Sequence, residues 1–511
     1  MAADSGLPSS RISAAHQQQY AELAVRWMQE YLRIDTTNPP GNEMKTVAFF
    51  KRILDQEGIE NRVFEYAPGR GDLWARLPRT RGDSDTQSSR DSQSSGGSHF
   101  SQKQGEMGHP GESHFSQKQG EVGHPSESHV SQKQGEVGHP RAVVLLNHMD
   151  VVTSDPAHWT VPPFSGEIKD GFIWGRGAQD MKDEGLAQLV VMVMLKREKV
   201  ALDRDVIFLA VADEEAEGTG TDWFIKNQRD LLENAEFLIN EGGENLLEKG
   251  KVKYIGVDVG EKTTYWLKVT AHGRPGHGSR PNPDSAPNRL VRALDKIIAY
   301  KTPLRVLPVV DEFLKDMAAY EPAERAGYYR DVRKAITEQK FQDEVERDES
   351  LNFLLRDTIS LTMLGGAQQT NVIPPEAWAN LDVRILPGGD PKALAEDLRR
   401  VVNDPNVSIE PINAEFRIAN YSGTDNALYA AIKQVAGKYF PGTPVVPHIT
   451  SGYTENQRYR PLGIVAYGFN PYTATEEEGK TEHGNDERIR VEEVKRGPEI
   501  LFDVVAEVAG K

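Results

Sequence analysis

Three short apolar runs, each closed by acidic or imidazole side chains, constrain this chain more than any other feature. Ala142–Leu146 leads to His148 and Asp150, Val206–Ala212 to Glu214 and Glu215, and Phe237–Ile239 to Glu241. Runs this short, without polar alternation and bounded by helical patterns, read as strands buried on both faces of a parallel sheet. Open α/β sheets place their chemistry at the carboxyl ends of such strands. Two further sites extend the series: Asp180 in the Gly-rich stretch Gly175-Arg176-Gly177-Ala178-Gln179-Asp180, and His483 in Glu482-His483-Gly484-Asn485-Asp486-Glu487.

The 511 residues exceed what one core accommodates and predict two or three domains. An amphipathic helix is expected from Ala14 to Ile34, a turn at Asp35–Gly41, and a second helix through Val47, Phe50 and Leu54. Strands are expected at Asn61–Tyr66 and Leu73–Leu77. The α/β pattern resumes at Ala142 and changes texture near Thr263, where Tyr265–Ala271 alternates like a half-exposed strand. Val309–Leu355 is charged and helical, Ile373–Ile385 returns to strand, and Ile464–Tyr467 and a C-terminal helix close the chain. The expected division is a first domain over 14–262, a second, inserted domain over 263–418 and the rest of the first domain over 419–511.

Between 79 and 140 the globular pattern stops. Three 15-residue units begin at Ser98, Ser113 and Ser128 and carry six of the 13 histidines: His99, His109, His114, His124, His129 and His139. A period this short, with one apolar pair per unit, cannot bury a solenoid core. The segment is expected to be a low-complexity insertion in a surface hairpin, with a metal-buffering arm as the alternative.

Composition excludes several classes. With 77 Asp+Glu against 60 Lys+Arg, a formal charge of −17 and no basic stripe, a nucleic-acid partner is not expected. The absence of cysteine rules out disulfides and thiolate zinc sites, so any metal must be held by imidazole and carboxylate. Met1–Ser13 has no apolar signal core and no 18-residue apolar run occurs, which gives the expectation of a cytoplasmic protein without membrane contact.

The five sites together suit a two-metal hydrolase. A dinuclear centre needs a group that bridges, and a carboxylate with two oxygens does so. The simplest assignment gives His148 and Glu215 to one metal and Glu241 and His483 to the other, with Asp180 between them. Asp150, two residues past His148 on the same face of an extended strand, is expected to accept the imidazole proton. Glu214 and Glu215 are neighbours that point differently, so one can bind metal while the other takes a proton from the metal-bound water.

These residues sit in motifs that resemble the dizinc aminoacylase/carboxypeptidase family, which includes glutamate carboxypeptidase, acetylornithine deacetylase and succinyl-diaminopimelate desuccinylase. The motifs are LLNHMDVV, PFSGEIKDGFIWGRGAQDMK, FLAVADEEAEG, INEGG, GRPGHGSRP, QTNVIPPEAWANLDVR and EHGNDE. The resemblance implies metal ligands His148, Asp180 (bridging), Glu215, Glu241 and His483, with Glu214 as general base and Asp150 as orienting acid. It also implies that His277 reaches the partner subunit's site in a homodimer, and that Asn371 and Arg384 contact substrate. Two Zn(2+) per subunit are implied, with Co(2+) or Mn(2+) as alternatives. One segment departs from the family's Gly-Thr-Asp-x-Arg run: here it reads Ser451-Gly452-Tyr453-Thr454-Glu455-Asn456-Gln457-Arg458.

The expected fold is α/β: a zinc-hydrolase domain with a mixed central sheet, interrupted by an α+β lid that dimerises. The expected enzyme is a zinc-dependent amidohydrolase or exopeptidase cleaving an amide beside a free carboxylate, with a small peptide as substrate. An N-acyl-amino-acid deacylase using the same site is the alternative. A non-catalytic metal-binding protein is a third reading, weakened by the intact Glu214 and Asp150.

Overall fold

The computed structural model describes residues 12–80, 142–413, 417–450 and 452–511. The repeats at 98–140 lie outside the described residues. In chain order the strands are Glu60–Ala67 (β1), Arg70–Leu77 (β2), Ala142–His148 (β3), Val206–Val211 (β4), Ala235–Asn240 (β5) and Ile255–Glu261 (β6). Leu267–His272 (β7), Thr358–Gly365 (β8), Glu376–Ile385 (β9) and Val407–Pro411 (β10) follow, then Val445–Thr450 (β11) and Val465–Gly468 (β12). The helices used below are Ala14–Leu32 (α1), Met44–Gln56 (α2), Lys182–Arg197 (α3) and Thr219–Asn227 (α4). Ala286–Ala299 (α5), Pro391–Val402 (α6), Ala427–Tyr439 (α7) and Val491–Ala509 (α8) complete the set.

Eight strands form one mixed sheet in the order β1-β2-β4-β3-β5-β12-β6-β11. Every residue of β3, β4 and β6 is buried, as the uninterrupted apolar runs of the first two require. Helices α1, α3 and α8 pack together and bury Trp27, Leu189 and Val505 in the same cluster as Val143 and Phe208. A separate antiparallel sheet pairs β9 with β7 and with β8, and β7 with β10. Strand β9 alternates buried and partly buried residues, so one face meets α5 and α6 through Leu290, Leu294, Leu394 and Leu398. The architecture is the expected mixed α/β fold with an antiparallel lid sheet.

Two expectations need correcting. The helical stretch from Pro308 to Leu355 falls inside the expected range 263–418, yet Val309, Leu314, Phe341 and Leu355 bury with the central sheet. Its first helix, Pro308–Met317, packs on β11, so the range 263–418 contributes to two cores. The flanks of the repeat segment are likewise not a hairpin. Strand β4 lies between them: Leu77 and Val143 both pair with Val206, one from each side.

Two strand spacings separate those flanks, roughly 10 Å. A few residues span that gap, so deleting residues 84–138 is expected to leave folding and thermal stability nearly unchanged. Soluble yield and Tm of the deletion variant check this, and loss of soluble protein would refute it. No helix among the described residues is long and apolar enough to cross a membrane.

Candidate metal centre

Strand order brings the first three sites together. Strand β3 runs parallel to both neighbours, β4 and β5, so all three chains leave the sheet at one end. His148 is the last residue of β3 and pairs in register with Val211 of β4. On the other side Leu145 pairs with Ile239, which brings Glu241 level with the His148 turn. Asp180 stands just before α3, and His483 lies in the loop before Arg488–Arg490.

Glu487 laces those two loops together. Its buried carboxylate pairs with Arg176 Nη1 and accepts from the backbone N–H of Gly177 at 3.0 Å and Gln179 at 2.8 Å. Gln179 Nε2 donates in turn to Thr481 Oγ1 at 2.7 Å and to the Glu478 carbonyl at 2.9 Å. Asp180 and His483 therefore meet.

The five side chains form two groups that share Asp180: His148, Asp180 and Glu241, and Asp180, Glu215 and His483. His148 Nε2 is 3.0 Å from Asp180 Oδ1 and 3.2 Å from Glu241 Oε2. His483 Nε2 is 2.7 Å from Asp180 Oδ2 and 3.2 Å from Glu215 Oε2. This reverses the simplest assignment, which joined His148 to Glu215 and Glu241 to His483. Glu241 follows β5 directly, whereas Glu215 is carried four residues past β4 by a turn.

The surroundings suit cations. Among the described residues, Oε1 of both Glu215 and Glu241 is buried without a hydrogen-bond partner. Burial pushes the Glu241 carboxyl up to about 7, and burial also raises Glu215. Hydrogen bonds to Asp180 and Glu215 push the His483 imidazole up to about 10. Three converging carboxylates, two orphaned oxygens and two imidazoles form a donor set of nitrogen and oxygen that fits two divalent ions.

Asp150 holds the site by a route the sequence did not reveal. His148 Nδ1 lies 3.0 Å from the backbone carbonyl of Asp150, closer than the 3.6 Å to its carboxylate. That carboxylate instead accepts from the N–H groups of Glu214 at 3.1 Å and Glu215 at 3.2 Å. It fixes the acidic pair, and the carbonyl orients the imidazole. Asn38 Nδ2 also donates to Asp150 Oδ2 at 2.8 Å. Asn38 was legible only as part of a turn cluster. Glu214 has no side-chain hydrogen bond among the described residues, and burial raises its carboxyl well above the usual range, with the Glu241 charge adding to the shift.

The lid residues stand outside the cluster. His277 is exposed, with its Nδ1 2.8 Å from Ser279 Oγ. It pairs in register with Val372, which sets it beside Asn371, whose carbonyl accepts from Gly278 N at 2.8 Å. Arg384 Nε donates to Asp382 Oδ1 at 2.8 Å, the pair along one strand that the Asp-x-Arg spacing allows. In the departing segment Glu455 is fully buried and accepts from Thr221 Oγ1 of α4 at 2.5 Å. Gln457 is buried too, with Nε2 unpartnered among the described residues, which do not include Ser451.

Comparison with known proteins agrees with this geometry. The family model described as peptidase family M20/M25/M40 matches residues 144–507. The human N-fatty-acyl-amino acid synthase/hydrolase PM20D1 is 27% identical over 370 residues, covering 71% of this chain and 73% of that protein. Aminoacylase-1 of Mus musculus is 26% identical over 373 residues, covering 72% and 80%. A metallo-carboxypeptidase of the same family from Sulfolobus solfataricus superposes with a TM-score of 0.61 at 17% identity, covering 95% of this chain and 98% of that one. That last likeness is one of fold. With a family match over most of its length, this chain belongs to peptidase family M20/M25/M40 and is a metal-dependent hydrolase.

Proposed function

We propose that this enzyme hydrolyses an amide bond adjacent to a free carboxylate, in the manner of a metallo-carboxypeptidase or dipeptidase. The sharing of Asp180 between two ligand groups, with a Glu214 carboxylate that has no hydrogen bond among the described residues, carries the reading. His148, Asp180 and Glu241 would hold one zinc-class ion, and Asp180, Glu215 and His483 the other. Bound there, the two cations would polarise the scissile carbonyl and make a shared water acidic near neutral pH. Glu214 accepts the proton that the attacking water loses and returns it to the leaving amine. Its raised proton affinity suits both halves of that exchange. Asp150 keeps Glu214 and Glu215 in place through their backbone N–H groups.

His277 is assigned to the neighbouring subunit's site, where its imidazole donates to the substrate oxyanion. Homodimerisation through the lid is supported by β8, an edge strand that exposes Met363 at 53% and Leu364 at 63%. Asn371, beside His277, and Arg384 are assigned to substrate oxygens and carboxylate. The relatives named N-fatty-acyl-amino acid synthase/hydrolase and aminoacylase favour a second reading, an N-acyl-amino-acid deacylase.

A panel of dipeptides and N-acyl amino acids separates the two. Preferential release of an amino acid from free dipeptides supports the first, and exclusive turnover of acylated amino acids rejects it. Elemental analysis of protein lacking residues 84–138 is expected to find two zinc-class ions per subunit, since five ligands exceed the needs of one tetrahedral ion. Fully active enzyme with one reproducible ion would reject the dinuclear assignment.

A further inference from the structure

The acidic pair hangs on a tight turn in which Gly218 N donates to the Asp213 carbonyl at 2.5 Å, and neighbouring side chains reinforce that backbone closure. Asp213, directly before Glu214, has a left-handed backbone with φ of 75° although it is not glycine. Such a conformation persists only where the surroundings over-determine it. Here they do. Asp213 Oδ2 accepts from Thr219 Oγ1 at 2.6 Å and Thr219 N at 3.1 Å, closing the far end of the turn. Asp213 Oδ1 accepts from Asn38 Nδ2 at 2.8 Å and from Arg70 Nη2 at 2.8 Å.

Those two donors connect the turn to its base. Asn38 Nδ2 is shared between Asp213 and Asp150, the carboxylate that holds the Glu214 and Glu215 N–H groups. Arg70, the first residue of β2, is forked onto Glu43 through Nη2 at 2.6 Å and Nε at 3.2 Å. Glu43 and Asp150 are fully buried and Asp213 is 3% exposed. Three carboxylates so close in a dry interior need a countercharge, and the Arg70 fork offers donors to two of them at once.

We infer that Arg70 is a positioning residue, which sets where Glu214 stands by acting through Asp213. Among the described residues its ion pairs are to Glu43 and Asp213 and to no candidate metal ligand, and it lies on a strand remote in sequence from the metal motifs. Without that donor, the Asp213 carboxylate keeps only Thr219 and Asn38 among the described residues, while its carbonyl keeps the backbone bonds from Ala216 and Gly218. The turn then relaxes, and Glu214 loses its aim while substrate binding surfaces stay intact. The inference rests on Glu214 being the base, which Glu214→Gln decides separately. An active Glu214→Gln enzyme removes the base, whereas the variants below test only what positions it.

The test compares Arg70→Gln, Arg70→Lys and the double variant Glu43→Gln/Arg70→Gln at saturating zinc, reading kcat, KM, Tm and metal content. In Arg70→Gln, kcat is expected to fall about 10–100-fold, the range for losing an outer support of a site. KM should stay within about threefold, since ground-state binding is untouched. Arg70→Lys keeps the charge without the planar fork and should give an intermediate kcat at near-normal Tm. The double variant removes the buried Glu43 charge together with its partner, so Tm should recover. Its kcat should not, because Asp213 still lacks its donor. Recovery of kcat in step with Tm would reduce Arg70 to a structural role and overturn the inference. Wild-type kcat in any folded variant, or unfolding of all three, overturns it as well.

Discussion

Glu214→Gln is expected to cut turnover by at least about 10²–10⁴-fold, the contribution typical of a general acid or base. Metal content should be unchanged, because Glu214 belongs to neither ligand group. Gln keeps the shape and loses the basic oxygen, so the two readouts separate proton transfer from metal loading. The backbone N–H that Asp150 holds at 3.1 Å is retained, so the turn stays closed. KM should move little, since the lost interaction belongs to the transition state. Activity within a few fold of wild type would show that another group takes the proton.

Regenerated activity from two dead proteins is the second large effect. Homodimers of Glu214→Ala and of His277→Ala should each be nearly inactive. In a mixed dimer, the His277→Ala subunit keeps its own Glu214 and receives an intact His277 from its partner. One site is thereby whole while the other carries both lesions. Unfolding, mixing and refolding the two variants should restore turnover that neither shows alone. The exposed imidazole of His277, standing apart from the cluster of its own chain, suits this arrangement. If mixing restores nothing, His277 acts within its own subunit or the chain works as a monomer.

Much of this was written plainly in the sequence. Strands β3, β4 and β5 announced themselves because a strand buried on both faces tolerates only apolar side chains. The residues that close them were visible for the same reason, as polar atoms in places that otherwise exclude them. Strand β6 was not recognised, because Gly256, Asp258 and Gly260 interrupt its apolar residues. The structure explains each interruption. A Cβ on Gly256 would stand 2.8 Å from the Glu244 carbonyl, and one on Gly260 would stand 2.4 Å from Tyr421 Cβ. Asp258 accepts from Gly243 N at 2.9 Å and supports the loop beyond Glu241.

The metal pairing failed for another reason. Order along the chain does not say which strands are neighbours, and β3 has one on each side. The central-core helices between Pro308 and Leu355 were misplaced likewise, since a charged amphipathic pattern shows that a face is buried but not against what. Asn38, Asp213 and Arg70 left no periodic trace. Their role depends on three distant segments meeting, which spacing alone cannot encode.

The position of β12 has a consequence for how the chain is made. Strands β5 and β6 are near neighbours in sequence, yet β12 lies between them in the sheet. A ribosome must therefore deliver the whole lid, and the helices after it, before the strand that joins the two halves emerges. Until then β5 presents an open edge of buried-type residues, the kind of surface that invites mispairing and chaperone capture. His483 follows β12 by only a short stretch. The sheet and the metal centre thus wait for the same stretch of chain, and a nascent chain completes its central sheet and its metal ligands together.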